Sequence, residues 1–490
     1  MTTESAQCAV LSGGRAERKL LWFGGVLVVL LVSIISVFDP YLGSLVPSKW
    51  WDKLFLGSWS HRFSVLLLLL LLSFALLVEL LRRVSYHAVL VVGIFVAAQI
   101  SGFRLSILDP LDLLTFAGVM VWLAQELLSP RQTVRLPSLL YFAMALLFLD
   151  FLHLTHQNPV RFMIGFLGLF KVILLAFLIV NVIQTESSIR LAIKAFIGVA
   201  IFSALIGVGQ FILFKFAGIP FTLIEDSETI FKPTPLGMVM RVSGLCATVQ
   251  HMSGFLMFGL GFLLFLIPQW QHLRYRMLGC AAVILLLVAI LLTWNYGAIF
   301  ATGLVVLMFP FFQWPKRSLH IVLALLTLAL LFYFTGVVEW VYSVSFGDSG
   351  VLKGLSQRHT LMSLGFEKIW RDPLMGTGLR DFAGFSGNFW HRPVHNAYMQ
   401  AGTEIGILSM LLFIVMLLVL VTQLIIALIH APVGLQPILK AAVVGMIAMM
   451  LLMFSEPMFD HSNTWLFLGL CQSIVSLALA KTTRLIKVHD

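Results

Sequence analysis

The chain has 490 residues, 60% of them hydrophobic and 11% charged, with a mean hydropathy of +1.00, against roughly 45–50% apolar and 25% charged in a soluble domain. So little charge leaves no polar surface for even one soluble domain. The apolar residues also come in unbroken runs such as Val65 to Leu72, which excludes an alternating membrane β-barrel. The net charge of +10 is in such a chain a topology signal first, not the mark of a nucleic-acid partner.

Apolar runs of about span length, bounded by charge, Pro or Gly, predict helices near 20–38, 63–81, 86–103, 106–128, 138–155, 162–183, 192–214, 253–268, 277–294, 297–313, 318–336, 405–429, 440–455 and 464–480. The expected fold is therefore an all-α polytopic membrane protein of about fourteen transmembrane helices, one membrane-embedded domain over 1–490 without internal repeats. The first run follows Arg15, Arg18 and Lys19 as a signal peptide would, but it ends in Val37-Phe38-Asp39-Pro40 with no small-x-small cleavage site and is expected to be retained. With the N-terminus inside, the cytoplasmic gaps hold Arg82 and Arg83, Arg131 and Arg135, Arg190 and Lys194, Arg274 and Arg276, Lys316 and Arg317, and Lys440. Seventeen basic residues then fall inside and fourteen outside, six of the latter in one long loop, so both termini are expected in the cytoplasm. Cys8, Cys246, Cys280 and Cys471 form no CxxC or metal spacing and suggest neither a disulfide framework nor a zinc site.

Lys171 falls deep within its span, where an ammonium is costly, and is either half of a buried pair or a cavity residue. Asp109 and Asp112, flanking Pro110, read as a turn at the membrane surface rather than a metal pair.

The segment 337–404 is the longest between spans and should lie on the outer face, where a long ordered loop on a rigid scaffold commonly carries function. Its acidic and basic side chains balance, so single arginines matter more than net charge. Leu361, Met362, Gly365, Phe366, Ile369 and Trp370 fall on one stripe of a helix that Pro373 stops, with Arg358 just before its start. That helix either lies at the lipid surface, packs on the bundle, or roofs a cavity into which Arg358 is aimed. Gly376-Thr377-Gly378 then makes a tight turn, and Trp390-His391-Arg392-Pro393-Val394-His395-Asn396 leads back to the membrane.

His395-Asn396-Ala397-Tyr398-Met399-Gln400, with Glu404-Ile405-Gly406 opening the next helix, resembles the HNxYLQxxxExG signature of the O-antigen ligase and O-antigen polymerase superfamily. Trp370-Arg371-Asp372-Pro373-Leu374-Met375-Gly376-Thr377-Gly378 and Arg241-Val242-Ser243-Gly244 resemble two further stretches of that family, and three helices follow the long loop as they do there. The likeness covers roughly residues 190–480. Two departures stand out. Asn295-Tyr296-Gly297 occupies a place where many members carry Ser-Arg-Gly, and two more N-terminal helices are expected than in the twelve-helix ligases, which leans toward the polymerases.

The resemblance implies a GT-C-like, metal-independent membrane glycosyltransferase without a cofactor, in the bacterial inner membrane, with its active site facing the periplasm. Its donor would be a polyprenyl (undecaprenyl) pyrophosphate-linked glycan. Its acceptor would be another glycan, as in polysaccharide and O-antigen polymerases, or the lipid A core, as in the ligases of lipopolysaccharide synthesis; its other partners would be membrane lipids, and no nucleic acid. A polysaccharide flippase or other secondary transporter is the alternative, since fourteen helices is a common transporter count. Against it, polar residues concentrate in one outer loop and Lys171 alone lies deep.

A sugar leaving a lipid pyrophosphate under attack by a hydroxyl needs cations for the diphosphate and a base for the hydroxyl. Arginine suits the first task, because its fork matches phosphate oxygens and its charge never titrates. Arg358 and Arg241 lead, followed by Arg392 and Arg380 in the same loop as the histidine, with Asn396 beside it. His395 is the candidate base or phosphate ligand, because imidazole changes charge near neutral pH. His391 would share its face only in a helix, which Pro393 argues against, so it is expected in support. Glu404 is expected to be structural, holding the loop or capping a helix start, where a carboxylate suits the dipole.

Overall fold

A computed structural model of the protein describes residues 86–100, 109–128, 134–155, 159–220, 231–234, 237–246, 248–317, 350–385, 388–389 and 391–489, with 320, 323 and 327 besides. The chain divides into two compact units, Met1–Leu90 with Phe116–Thr133, and Val91–Thr115 with Val134–Asp490. Helix α1 is Tyr86–Gln99 and α2 is Pro110–Leu128. The first unit is described only at the start of α1 and over the later part of α2. In the second follow α3 (Ser138–Phe151), α4 (Pro159–Val182), α5 (Glu186–Ala217), the strands β1 (Phe231–Thr234) and β2 (Gly237–Met240), α6 (Val249–Leu266), α7 (Leu273–Leu292) and α8 (Tyr296–Gln313). The long loop contributes α9 (Gly350–Arg371) and α10 (Ala397–Glu404), and α11 (Ile407–His430), α12 (Gln436–Leu452) and α13 (Ser462–His489) complete the chain.

Among the described residues eight helices are long and apolar enough to cross a membrane, and two shorter apolar helices, Ala88–Gln99 and Ser138–Phe151, accompany them. The protein is thus mostly helical and membrane-embedded. Eleven of the fourteen expected runs coincide with helices; those near 20–38 and 63–81 lie outside the described residues, as does most of 318–336. The antiparallel hairpin, with Phe231 opposite Met240, departs from the all-helical expectation. Pro233, Pro235 and Gly237 deny a helix to this stretch.

Sequence chemistry sets the helix ends. Thr185 and Ser188 form a reciprocal capping box at the start of α5, and Gly218 (φ 69°) closes its end in the left-handed conformation. Thr248 caps α6 and Asn295 caps α8 through their side-chain oxygens. Helix α6 is buried along nearly its whole length, as an all-round apolar helix must be, whereas α7 buries only Gly279, Leu286, Ala289 and Ile290 and turns the rest outward. Phe258 of α6 stacks on Phe467 of α13 with ring centroids 3.9 Å apart. Small residues bring α13 against α4, where a Cβ on Gly469 would stand 3.2 Å from Ala176 Cα. The start of α8 meets the turn between α12 and α13, Gly297 lying against Ser455, and the start of α6 meets the first turn of α13, Asn463 Nδ2 donating to His251 O at 3.0 Å.

Candidate functional site

The long loop is clamped to the bundle through backbone bonds, Ala397 N donating to Met453 O and Ile407 N to Pro373 O, each at 2.8 Å. Helix α9 begins at Gly350, earlier than its apolar stripe suggests, so Arg358 lies within it rather than ahead of it. Leu361 and Ile369 face inward with Phe382, Val394 and Met399, and Gly365 rests against Thr403 and Met399. Phe366 and Trp370, expected on that stripe, are instead 59% and 89% exposed. The buried seam follows the i, i+4, i+8 row alone, a narrower stripe than the residue pattern suggested. The turn after Pro373 caps α10: Thr377 N donates to Thr403 O at 2.9 Å and Gly378 N to Glu404 O at 2.6 Å, satisfying carbonyls the helix end leaves open. Gly376 (φ 62°) permits this approach, since a Cβ there would stand 2.7 Å from Glu404 O.

His395 lies just before α10. Burial pushes its pKa down to about 4, and Arg358 and Arg392 push in the same direction. Nδ1 of this ring is buried without a hydrogen-bond partner. The imidazole is therefore neutral at physiological pH and carries a lone pair or a proton that no protein group uses.

Arg241 emerges from β2 onto the end of α7. Val242 N donates to Leu292 O at 3.2 Å and Arg241 Nε to Thr293 O at 3.0 Å, which satisfies two terminal carbonyls of that helix. Buried Gln210 holds the following turn, accepting from Ser243 N at 3.2 Å and Gly244 N at 3.0 Å and donating to Gly244 O at 2.7 Å. Burial lowers the pKa of Arg241, Glu456 opposes this and Arg358 adds to it, so Arg241, Arg358 and Glu456 share one neighbourhood.

Glu456 lies in the turn between α12 and α13, and sequence reading passed over it. Arg358 crosses this turn, its Nη1 donating to Ser455 O at 3.4 Å and its Nη2 4.0 Å from Glu456 Oε1. Gly297, in the first turn of α8, abuts the Ser455 hydroxyl so closely that any Cβ would displace it. Gly297→Ala should therefore cost about 1–3 kcal/mol of stability and move the turn that Arg358 leans on. The check is thermal unfolding, with the midpoint expected to fall.

A second polar network lies beneath. Arg380, in a left-handed backbone conformation (φ 64°), directs Nε and Nη2 onto Asp460 Oδ2 at 2.6 Å each, and its guanidinium covers Gly168 of α4. Gln400 donates to Asp460 Oδ1 at 3.2 Å and accepts from Phe459 N at 3.4 Å, while Glu404 Oε2 accepts from Arg380 N at 2.9 Å. Burial raises the Asp460 carboxyl, but Arg380 and then His461 more than offset it, and the group is held at about 2. Glu404 behaves oppositely: burial and then Asp460 lift it to about 8, so it is largely protonated at neutral pH. Arg380 is thus committed to Asp460 and does not join the Arg241, Arg358 and Arg392 group. Glu404 ends α10 rather than starting α11, a place where the helix dipole disfavours a carboxylate.

A raised folded-state pKa in an acid means that stability declines as pH rises from the unfolded value near 4.5 toward about 8. Glu404→Gln keeps the acceptor and removes the titration, so it should equal wild type near pH 5 and exceed it in thermal stability at pH 8. Unfolding temperatures at the two pH values check this.

Asn396 is buried and caps α10, its Oδ1 accepting from Met399 N at 3.0 Å. His391 is exposed with φ 50°, its Nδ1 3.0 Å from Ala383 O. Lys171 pairs with buried Asp112 at 2.7 Å, and Asp109 and Asp112 cap α2 through reciprocal bonds of 2.9 and 3.1 Å. Trp294, Arg380 and His391 are the non-glycine residues with positive φ among those described, and all three border this region. Among the described residues no three His, Cys, Asp or Glu side chains converge as a metal site would require. Compared with known proteins, the chain matches no family model and no curated sequence.

Proposed function

We propose that the protein is a glycosyltransferase of the outer membrane face that takes its glycan from a polyprenyl diphosphate and extends or attaches a surface polysaccharide. The proposal includes fourteen spans, both termini inside and a periplasmic loop. The observation that carries it is the placing of Arg358, which lies between Arg241 and Glu456 on one side and, with Arg392, a partly buried neutral histidine, His395, on the other. Three arginines supply charge for a diphosphate leaving group, which fits a reaction without a metal. His395 suits the acceptor hydroxyl. Burial depresses its basicity most and its two arginine neighbours depress it further, and a diphosphate seated between them relieves the arginines' part, so the base strengthens somewhat when its substrate is present.

Purified protein incubated with a lipid-diphosphate glycan, with and without lipid A core, and resolved by product size tests this. A ladder without core marks a polymerase, a single core-linked product marks a ligase, and unchanged donor contradicts the reading and favours a transporter. Chelation by EDTA should leave turnover unchanged. For orientation, Phe389, 82% exposed in the loop, should on replacement by Cys react with an impermeant maleimide in intact spheroplasts above the wild-type background; labelling only after lysis would reverse the topology.

A further inference from the structure

The reaction outlined above uses arginines and a histidine and leaves Glu456 without a part. Its carboxyl is 1% exposed, Oε1 lies 4.0 Å from Arg358 Nη2, and Oε2 is buried with no hydrogen-bond partner among the described residues. Arg241 is the second cation acting on it, and Gln250 at the start of α6 and Asn295 at the cap of α8 present their amides to it. A diphosphate held by Arg241 and Arg358 brings like charge toward this carboxylate, out of bulk water, where repulsion is several times its aqueous strength. The carboxylate must then weaken the ligand or lose its charge.

We propose that Glu456 is the counter-ion of the arginine pair in the empty site and takes up one proton from solvent when a lipid diphosphate displaces it. This rests on the reading of the site as a lipid-diphosphate site. The only bond formed is the O–H on Glu456, and the resulting hydroxyl faces the ligand as a donor where a carboxylate would repel it. Burial already pushes the Glu456 carboxyl up while Arg358 and Arg241 hold it down; a diphosphate that neutralises both cations leaves burial unopposed. The other titratable groups here are Tyr296 beside Arg241, His395 and Arg392 beside Arg358, and Asp460 and His461 farther along the turn beside Arg380. A bound diphosphate relieves the push of Arg358 and Arg392 on His395 but not the burial that is the main cause of its low pKa, so this ring stays neutral at pH 8, where the proton count is taken. Glu456 is in this role a positioning residue, acting through the two arginines.

The probe is farnesyl diphospho-N-acetylglucosamine, a diester lacking the phosphate ionisation near pH 6 of a monoester, titrated calorimetrically into the full-length protein in two buffers of different ionisation enthalpy. Wild type should take up a proton fraction approaching one at pH 8, and its affinity should fall as pH rises from 5.5 to 8.5. Glu456→Gln should take up none and bind with a flat profile, equal to wild type at low pH and roughly tenfold tighter at pH 8.5. The wild-type proton count needs no variant, so a poorly folded Glu456→Gln leaves the test intact. Binding without proton uptake, or a variant that keeps the wild-type pH profile, overturns the role of Glu456 and leaves the diphosphate site standing. Absence of binding at every pH overturns both.

Discussion

His395→Ala should leave donor binding nearly intact while slowing glycan transfer by roughly 10²–10⁴-fold, the usual contribution of a positioned base. The ring is partly buried, its buried Nδ1 bonds to no protein group, and its pKa near 4 keeps it neutral. Removing it therefore takes away a proton acceptor and little else. Arg358 should fail differently. Its guanidinium, 40% exposed, spans from the Ser455 carbonyl toward solvent and can grip a diphosphate in ground and transition states alike. Arg358→Lys, which keeps charge but loses the fork, should raise KM for the donor, and Arg358→Ala should raise it further, with kcat affected less. The pH profiles add a signature. Burial depresses the histidine throughout and Arg358 and Arg392 add to this only while unoccupied, so the acid limb of kcat/KM should lie near the free-enzyme value of about 4 and that of kcat at somewhat higher pH. A properly folded His395→Ala protein with near wild-type transfer would show that this segment serves only to open α10.

The largest expected loss of stability is at Asp460 and Arg380. Arg380→Ala leaves the Asp460 carboxylate 6% exposed with its strongest partner gone. Breaking a buried pair from one side costs about 3–5 kcal/mol, and the 45% exposure of Arg380 argues for roughly 2–4 here. Replacing both, as Arg380→Met with Asp460→Leu, should recover much of that loss, because no lone charge is then buried. Unfolding temperatures of the two single variants and the double variant check this. If Arg380→Ala alone unfolds like wild type, the pair does not hold the loop down, and the clamp rests on the backbone bonds of Thr377 and Gly378.

The helices were legible because lipid imposes one rule, long apolar runs, that survives any tertiary context; eleven such runs are helices at their expected places. The hairpin before Arg241 was not, since β1 and β2 are four residues each, too short for alternation to show. Helix α9 was read too short because Gly354 and Ser356 are weak helix formers, and too broadly amphipathic because Phe366 and Trp370 look like core. Within the site, Arg358, Arg241 and His395 stood out as cations and an imidazole in outer loops. Glu456 and Asp460 did not. Their turn is short, and nothing in its spacing tells that it faces Arg241, 215 positions earlier, and Arg380, 80 positions earlier. One signal was available: two carboxylates and a histidine in Glu456-Pro457-Met458-Phe459-Asp460-His461 is dense charge for a chain only 11% charged. Gln210 carried no such signal, since a buried amide within an apolar helix is known by its partners alone.

The most direct test is to follow the donor itself. Purified protein in EDTA, given a polyprenyl-diphosphate glycan and an acceptor, should release free polyprenyl diphosphate in step with glycan transferred, and Arg358→Ala and His395→Ala should each suppress that release. A wild-type protein that leaves the sugar–diphosphate bond intact, or that cleaves it only after a divalent metal is added, would contradict the proposed chemistry.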